Sequence, residues 1–210
     1  MIDDESLSGL LRRLAEAGRT HDASESDPAR KLRNITPSTG RFLELLVQEQ
    51  RPRRILEIGT SNGYSTLWLL RAAVPLSIPV ETVDHSADKH ALAVANLQTA
   101  DLLADVVLHT TDAGSFLQSS ADGQWDFVFL DSNRGRYVQW WPELLRCLKL
   151  GVLVVDNAVS HTPELQSLLA LIDADPSLER TILTIGNGLL VVRRRPISET
   201  QPALVTLGPG

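Results

Sequence analysis

The feature that most constrains the fold is the alternation, after Arg54, of short apolar runs with longer amphipathic stretches. Short runs rich in Val, Ile, Leu and Phe are typical of buried strands, and apolar positions at helical spacing are typical of helices. Strands that alternate with helices imply crossover connections and therefore a parallel sheet. The predicted strands are Ile55–Ile58, Val80–Asp84, Asp105–His109, Asp126–Asp131 and Val152–Asp156. The predicted helices are Tyr64–Ala73, Ala87–Ala100, Ala113–Ser119 and Tyr137–Leu148.

Both ends of the chain depart from this alternation. Near the C-terminus, two β-like runs flank Gly186-Asn187-Gly188, which predicts a hairpin and hence an antiparallel strand beside the parallel sheet. Near the N-terminus, leucines at helical spacing predict a helix over Leu7–Ala17 that Gly18 ends. The polar segment Arg19–Asn34 is interpreted as a loop or mobile flap, and Thr36-Pro37 predicts the start of the next helix.

Length and composition limit the class of protein. The chain has 210 residues, 43% of them apolar, and a net charge of −6, which argues against a nucleic-acid or membrane partner. No apolar stretch is long enough to span a membrane, and the acidic N-terminus is unlike a signal peptide. The single cysteine, Cys147, excludes an intrachain disulfide and fits a cytoplasmic location. We expect one domain over residues 1–195, with residues 1–36 as an N-terminal helix and flap loop, and a poorly ordered tail over residues 196–210.

The segment Gly59-Thr60-Ser61-Asn62-Gly63 connects a predicted strand to a predicted helix. Glycines let a backbone approach a ligand closely, and the helix N-terminus that follows favours negative charge. A dinucleotide-binding fingerprint needs three glycines in the spacing G-x-G-x-x-G, whereas this loop has G-x-x-x-G. The loop therefore indicates a ligand site, and a plain tight turn is the alternative.

Acidic residues follow the next two predicted strands. Asp84 ends the second strand, where a carboxylate can accept from both ribose hydroxyls of a nucleoside. Asp112 follows the third strand and could accept from an adenine amino group, although a helix N-cap is an alternative and compatible role. Together with the glycine loop, these acids indicate a nucleoside-containing cofactor.

Two later strands also end in acidic residues, at Asp131 and at Asp156-Asn157. If these strands are neighbours, two carboxylates and one amide oxygen converge, because neighbouring strands lie about 4.8 Å apart. Such acids repel each other unless a cation separates them, and oxygen ligands favour Mg²⁺, with Ca²⁺ or Mn²⁺ as alternatives. The sequence thus predicts a metal site, against the simpler interpretation of two solvated loop acids and a turn asparagine.

An ordered set of motifs resembles one family. The segments LEIGTSNGYSTL, VDHS, FVFLDSNRGRY, VLVVDNAVSH and IGNGLLVVRR are similar to those of the Mg²⁺-dependent, S-adenosylmethionine-dependent O-methyltransferases, which include catechol and caffeoyl-CoA O-methyltransferases and small bacterial relatives. The likeness runs from about Ile35 to Arg194. It implies an α/β, Rossmann-like class I methyltransferase fold: a seven-stranded, mostly parallel sheet with one antiparallel strand and helices on both faces. Homodimers occur among such relatives, but the sequence does not establish one here.

The resemblance implies roles for individual positions. Ile35, Gly59 and Thr60 would lie along the methionine end of S-adenosylmethionine, and Ser65 would bind its carboxylate. The remaining implied roles are ribose binding by Asp84, adenine contacts by Asp112 and Ala113, metal binding by Asp131, Asp156 and Asn157, and a further catalytic and cofactor-contacting role for Asp131.

One position departs from the family pattern. Three residues after the first metal aspartate, where the family carries a catalytic lysine, this chain has Arg134. Arginine stays protonated in proteins and cannot serve as the usual base. We therefore expect Arg134 to stabilise the deprotonated acceptor by its charge, and a surface arginine with no role is the alternative.

The function predicted is methyl transfer from S-adenosylmethionine to a hydroxyl of a small, catechol-type acceptor beside the metal. A non-catalytic or altered-specificity S-adenosylmethionine-binding protein remains an alternative, and so does a nucleotide-dependent dehydrogenase. Both residues of the adjacent pair Trp140-Trp141 are expected in the core, with a substrate wall or a subunit contact as the alternative for one of them.

Overall fold

The computed structural model describes residues 4–195, which form a single seven-stranded sheet with helices packed against it. The helices are α1 (Asp4–Ser24), α2 (Pro37–Gln50), α3 (Tyr64–Ala73), α4 (Ala87–Thr99), α5 (Ala113–Ser119), α6 (Tyr137–Cys147) and α7 (Thr162–Ala174). The strands are β1 (Ile55–Ile58), β2 (Val80–Asp84), β3 (Val106–Thr110), β4 (Trp125–Leu130), β5 (Leu148–Asp156), β6 (Leu178–Leu183) and β7 (Leu189–Arg194). Short 3-10 turns cover Val74–Leu76, Leu103–Asp105 and Arg134–Arg136.

Among the strands of the described residues, the order is β3-β2-β1-β4-β5-β7-β6, and β7 alone runs antiparallel to the strands on both of its sides. The predicted sheet with one antiparallel strand is therefore confirmed, as is the hairpin that supplies it. The order reverses between β1 and β4, which pair directly through Ile58 and Leu130. In open α/β sheets, ligands bind beyond the carboxyl ends of the strands at such a reversal. The fold thus directs attention to the loops that follow β1 and β4.

Apolar side chains cover both faces of the sheet and form one core on each. The first core takes in leucines of α1 to α4, such as Leu43 and Leu67. The second takes in α5 to α7, with Trp141, Leu144 and Leu165. Helices therefore cover both faces, as predicted. None of the helices within residues 4–195 combines the length and the apolar character needed to cross a membrane.

The N-terminal prediction needs a correction, because α1 does not end at Gly18 but continues to Ser24. A Cβ atom at Gly18 would lie 2.4 Å from the Asn34 side-chain nitrogen, which donates to the Leu14 carbonyl at 3.0 Å. Gly18 is thus a packing position that lets the returning chain cross the helix, and it is not a stop signal. The non-helical connection is shorter than predicted and covers residues 25–36, hereafter the α1–α2 loop.

One strand boundary differs from the prediction by several residues, and one helix was missed. Strand β5 begins at Leu148, which was assigned to the preceding helix, because Gly151 lets the chain pass Asp126 closely enough to pair early with β4. A Cβ at Gly151 would lie 1.7 Å from the Asp126 carbonyl oxygen. Helix α7 was not predicted, although its apolar positions recur at helical spacing. The tail predicted to be poorly ordered, residues 196–210, lies outside the described residues.

Candidate active site

The glycine loop closes the end of β1 under tight steric limits. Gly59 has φ +111°, and a Cβ there would lie 2.0 Å from the Asp131 carbonyl oxygen. Gly63, with φ +79°, precedes the first residue of α3, and its N–H donates to the Thr60 carbonyl at 2.8 Å. Both glycines are therefore required by the backbone. The loop leaves the N-terminus of α3 facing a large cavity of about 1170 Å³.

Asp84 holds the glycine loop to the end of β2. One carboxylate oxygen accepts from the Ser61 N–H at 2.8 Å, and the other accepts from the Ser86 N–H at 2.9 Å. The side chain is only 8% exposed, and it lines the cavity. Since each carboxylate oxygen has a second lone pair, the fixed carboxylate can still accept from a ligand hydroxyl.

Asp112 is the N-cap of α5, so the alternative role that the sequence left open is present. Its Oδ1 accepts from the Ser115 N–H at 2.9 Å, and this hydrogen bond lowers the pKa of Asp112. Ala113 and Trp140 line the cavity beside it. The indole of Trp140 is 6% exposed, and its N–H is buried without a partner among the described residues. Trp140 is thus both core and cavity wall, which unites the two interpretations of this residue.

Three further residues predicted to contact the cofactor line the same cavity. Ser65 lies in the first turn of α3 and is 8% exposed. Ile35 stands at the end of the α1–α2 loop, and Thr60 lies within the glycine loop. The Thr60 hydroxyl shares a hydrogen bond of 2.6 Å with Thr82 on β2. The roles assigned to these residues stay predictions, but their positions agree with a single elongated ligand.

Glu57 is a buried acid that lies beneath the glycine loop, and sequence analysis did not identify it. Glu57 on β1 is fully buried and accepts from the hydroxyls of Thr66 at 2.5 Å and Thr82 at 2.6 Å. Burial raises the pKa of Glu57 to about 7, against the opposing effect of these hydrogen bonds. Its central position in the strand motif gave a signal, because a charged residue within a fully buried strand needs partners.

The predicted metal-binding residues come together at the ends of β4 and β5. The amide nitrogen of Asn157 donates to Asp131 Oδ1 and to Asp156 Oδ2, both at 3.1 Å. Asn157 has φ +66°, and its Oδ1 accepts from the Asn187 amide at 3.3 Å. In the same hairpin turn, the Asn187 carbonyl accepts hydrogen bonds from two N–H groups of the β5–α7 loop. The donors are Val159 at 3.1 Å and Ser160 at 3.0 Å. The closing hairpin thus fixes the position of Asn157.

The electrostatics of this pair of acids are unfavourable in isolation. Asp156 is 2% exposed, and its buried Oδ1 has no hydrogen-bond partner within residues 4–195. Burial, followed by the charge of Asp156, raises the pKa of Asp131, while Arg134 opposes the rise. Burial also raises the pKa of Asp156. Within residues 4–195 no group of three His, Cys, Asp or Glu side chains could hold a metal, so a cation here would depend on two carboxylates and one amide.

Arg134 is not free, because its Nε donates to Glu164 Oε2 at 2.8 Å. The guanidinium is 13% exposed and lies in the 3-10 turn after β4, whereas Glu164 lies in the first turn of α7. The surface-residue alternative is weakened by this burial. Arg134 still opposes the pKa rise at Asp131 and Asp156, so its positive charge reaches both acids.

All of the predicted site residues line one cavity, and several other residues join them. Residues that sequence analysis did not assign to the site include Arg33, Asn133, Glu164 and Asn187. Glu164 belongs to α7, whose helical pattern would have placed it near the ends of β4 and β5. The contribution of Arg33 depends on how the α1–α2 loop folds back, for which the sequence offers no periodic signal.

The fold and this cavity define a nucleoside-cofactor enzyme of the class I methyltransferase type. The sequence profile of the O-methyltransferase family matches residues 10–195, and the chain belongs to that family. The resemblance and the predicted enzyme class, an S-adenosylmethionine-dependent O-methyltransferase, are thereby confirmed. The alternative of a nucleotide-dependent dehydrogenase is wrong.

Curated relatives give the same class. The catechol O-methyltransferase of Niastella koreensis is 30% identical over 197 residues, which are 86% of this chain and 84% of the relative. The catechol O-methyltransferase of Mycobacterium tuberculosis is 35% identical over 159 residues, 74% of this chain and 69% of the relative.

Solved structures agree with the fold. The O-methyltransferase from Bacillus cereus in complex with S-adenosylhomocysteine superposes with a TM-score of 0.70 at 26% identity, covering 93% of each chain. The O-methyltransferase TomG from Streptomyces achromogenes, in complex with S-adenosylmethionine, gives 0.73 at 26% identity, covering 93% of this chain and 92% of TomG.

Proposed function

We propose that this enzyme transfers the methyl group of S-adenosylmethionine to a hydroxyl of a small, catechol-type acceptor beside a divalent cation. The observation that carries the proposal is the pair of acids Asp131 and Asp156, held together by Asn157 on the wall of the cavity that contains the glycine loop. The two catechol O-methyltransferases among its relatives support this class of acceptor.

The cofactor would lie along the ends of β1 to β3. Its methionine part would pass Ile35 and Ser65, where the N-terminus of α3 favours a carboxylate. Its ribose would meet Asp84, whose orientation is already fixed by two backbone N–H groups. Its adenine would meet Asp112 and Ala113, which line the cavity together with Trp140. This order follows the strand order β1, β2, β3 across the sheet.

The residues at the ends of β4 and β5 fit a divalent cation. Two carboxylates with raised pKa values stand together, and one oxygen of Asp156 lacks a partner among the described residues. Asn157 would offer its amide oxygen after a turn of its amide group, which would give up its hydrogen bond from the Asn187 amide. A divalent cation held there would supply Lewis acidity, which lowers the pKa of a nearby hydroxyl.

Arg134 would act on the acceptor by charge. A fixed guanidinium near the acids favours the anion of an acceptor hydroxyl, but it accepts no proton, so the proton leaves to solvent. Glu164 orients the guanidinium through the 2.8 Å hydrogen bond. Much of the rate gain would come from holding two substrates in reacting geometry within one cavity.

A methyl-transfer assay with a panel of catechols and Mg²⁺ tests the proposal, and calorimetry of Mg²⁺ binding gives a readout independent of turnover. We expect methylation that a chelator abolishes and that Mg²⁺ or Mn²⁺ restores. Full activity in chelator would place the protein among metal-independent methyltransferases. Cofactor binding without transfer to any catechol would favour the altered-specificity alternative.

A further inference from the structure

The acceptor end of the cavity has a polar and charged wall. Beside the acids Asp131 and Asp156, the cavity is lined by Arg33, Asn133, Arg134, His161, Glu164 and Asn187. The Tyr and Trp side chains of the cavity wall, Tyr64 and Trp140, lie instead beside the glycine loop and beside Ala113. A plain aromatic ring would gain little from such a wall, because stacking and apolar burial need apolar partners.

Arg33 is presented to this cavity from a fixed backbone. Asp22, in the last turns of α1, accepts from the N–H groups of Leu32 and Arg33, both at 2.7 Å. The Ser61 hydroxyl of the glycine loop donates to the Leu32 carbonyl at 2.8 Å. Arg33 itself has φ +52°, a conformation that side-chain-bearing residues adopt at a cost. Backbone strain of this kind clusters at ligand sites, where the surrounding contacts maintain it.

Arg33 is an exposed residue, and no salt bridge holds its guanidinium among residues 4–195. Among the described residues, its guanidinium makes a single hydrogen bond, to the neutral Pro28 carbonyl at 3.2 Å. Arg134 differs, because Glu164 pairs with it. The pKa of Glu164 is lowered, mainly by the hydrogen bond from Arg134. The charges of Arg134, His161 and Arg33 lower it further. The Arg33 charge therefore reaches the acceptor site.

We propose that Arg33 binds an anionic substituent of the acceptor, so that the preferred substrates are catechols that carry a carboxylate. This inference rests on the proposed function for the diol and adds a second recognition point to it. A planar guanidinium with free N–H donors matches a carboxylate in a two-point hydrogen bond, and Arg is better suited to this than Lys. Because a divalent cation would offset the acids and Glu164 pairs with Arg134, Arg33 supplies a positive charge that forms no salt bridge among residues 4–195.

Kinetics with matched acceptors test the inference. The specificity ratio is kcat/KM for 3,4-dihydroxybenzoate divided by kcat/KM for its methyl ester, which keeps the diol and removes the charge. We expect a ratio of at least about ten, the size of one charge-assisted contact. Arg33→Gln should reduce the ratio to near one, and Arg33→Lys should retain part of it. Arg30→Gln is the matched control, because Arg30 is 73% exposed and is not part of the cavity wall, and its ratio should equal that of the wild type.

Calorimetry separates this inference from the proposed function. The protein saturated with S-adenosylhomocysteine and Mg²⁺ is titrated with 3,4-dihydroxybenzoate and with the corresponding amide. Tighter binding of the acid in the wild type, lost in Arg33→Gln, supports the anion site even if no catechol is methylated, in which case only the proposed function fails. Equal binding of acid and amide, including no binding of either, overturns the inference, and so does a specificity ratio that Arg33→Gln leaves unchanged.

Discussion

The two halves of the cavity are built by different means. In the half that is proposed to bind the cofactor, the carboxylates of Asp84 and Asp112 accept hydrogen bonds from backbone N–H groups of the loops that follow the strands. In the acceptor half, side chains fix one another: Asn157 joins two acids, and Glu164 holds Arg134 across two separate elements. Backbone-fixed groups depend on the fold alone, whereas side-chain pairs can be changed without altering the fold. We therefore expect the acceptor half to be the more variable in chemistry.

The largest expected effect lies in the acceptor half, at Asp156. Asp156→Ala should reduce methyl transfer by on the order of a hundredfold or more and abolish Mg²⁺ binding in calorimetry, because a buried carboxylate ligand is lost. Stability should not fall correspondingly, since removing one of two repelling acids relieves a cost. Asp173→Ala is the control, because Asp173 is a half-exposed aspartate of α7 that pairs with Arg180 outside the cavity. Full activity of the Asp156→Ala variant would contradict the proposed metal site.

The next effect concerns Arg134. Arg134→Ala should lower turnover of a catechol by roughly ten- to a hundredfold, the range for a group that stabilises developing negative charge. Binding of S-adenosylhomocysteine should stay unchanged, which distinguishes this half from the other. Arg134→Lys should retain or raise turnover, which should then fall as the pH drops and the lysine amine becomes protonated. If Arg134→Ala leaves turnover of a confirmed substrate untouched, Arg134 serves only as scaffold with Glu164.

A smaller effect is expected in the cofactor half. Asp84→Ala should weaken S-adenosylhomocysteine binding by about 1.5–3 kcal/mol for each hydrogen bond lost to the charged acceptor. It also leaves the Ser61 and Ser86 N–H groups without their acceptor, so a modest loss of thermal stability should accompany it. Mg²⁺ binding, measured in parallel, should remain. Unchanged cofactor affinity would exclude the ribose role and would show that Asp84 only braces the loop.

The same contrast explains what the sequence could predict. The sheet, its antiparallel strand and the acids at the ends of four strands followed from periodicity and from the rule that ligands bind at carboxyl strand ends. The pairing of Glu164 with Arg134 and the presentation of Arg33 by Asp22 join distant segments, and short-range patterns do not encode such contacts. Gly18 was misassigned for the same reason, because its role is set by a side chain, Asn34, that packs against it from the next segment.

The last prediction concerns Glu57, which lies beneath the glycine loop, and its effect is on stability. We expect its effect on the reaction to be the smallest of the four. Its pKa is raised by burial from 4.5 to about 7, so the folded state binds a proton that the unfolded state has already released between these pH values. Stability from this group is fully present below about pH 4.5 and is lost as the pH rises through about 7. Asp131 and Asp156 contribute in the same direction.

Urea unfolding across this pH range, in chelator, should show stability falling as the pH rises. Glu57→Gln should reduce the pH slope of the unfolding free energy by the contribution of one proton, which is up to about 1.4 kcal/mol per pH unit. This change in slope is independent of the effect of the substitution on absolute stability. Saturating Mg²⁺, in the absence of chelator, should suppress the contribution of Asp131 and Asp156 to the pH slope of the unfolding free energy. The contribution of Glu57 should remain. An unchanged slope in Glu57→Gln would mean that Glu57 is ionised throughout, with its two threonine partners and the loop above it stabilising the charge.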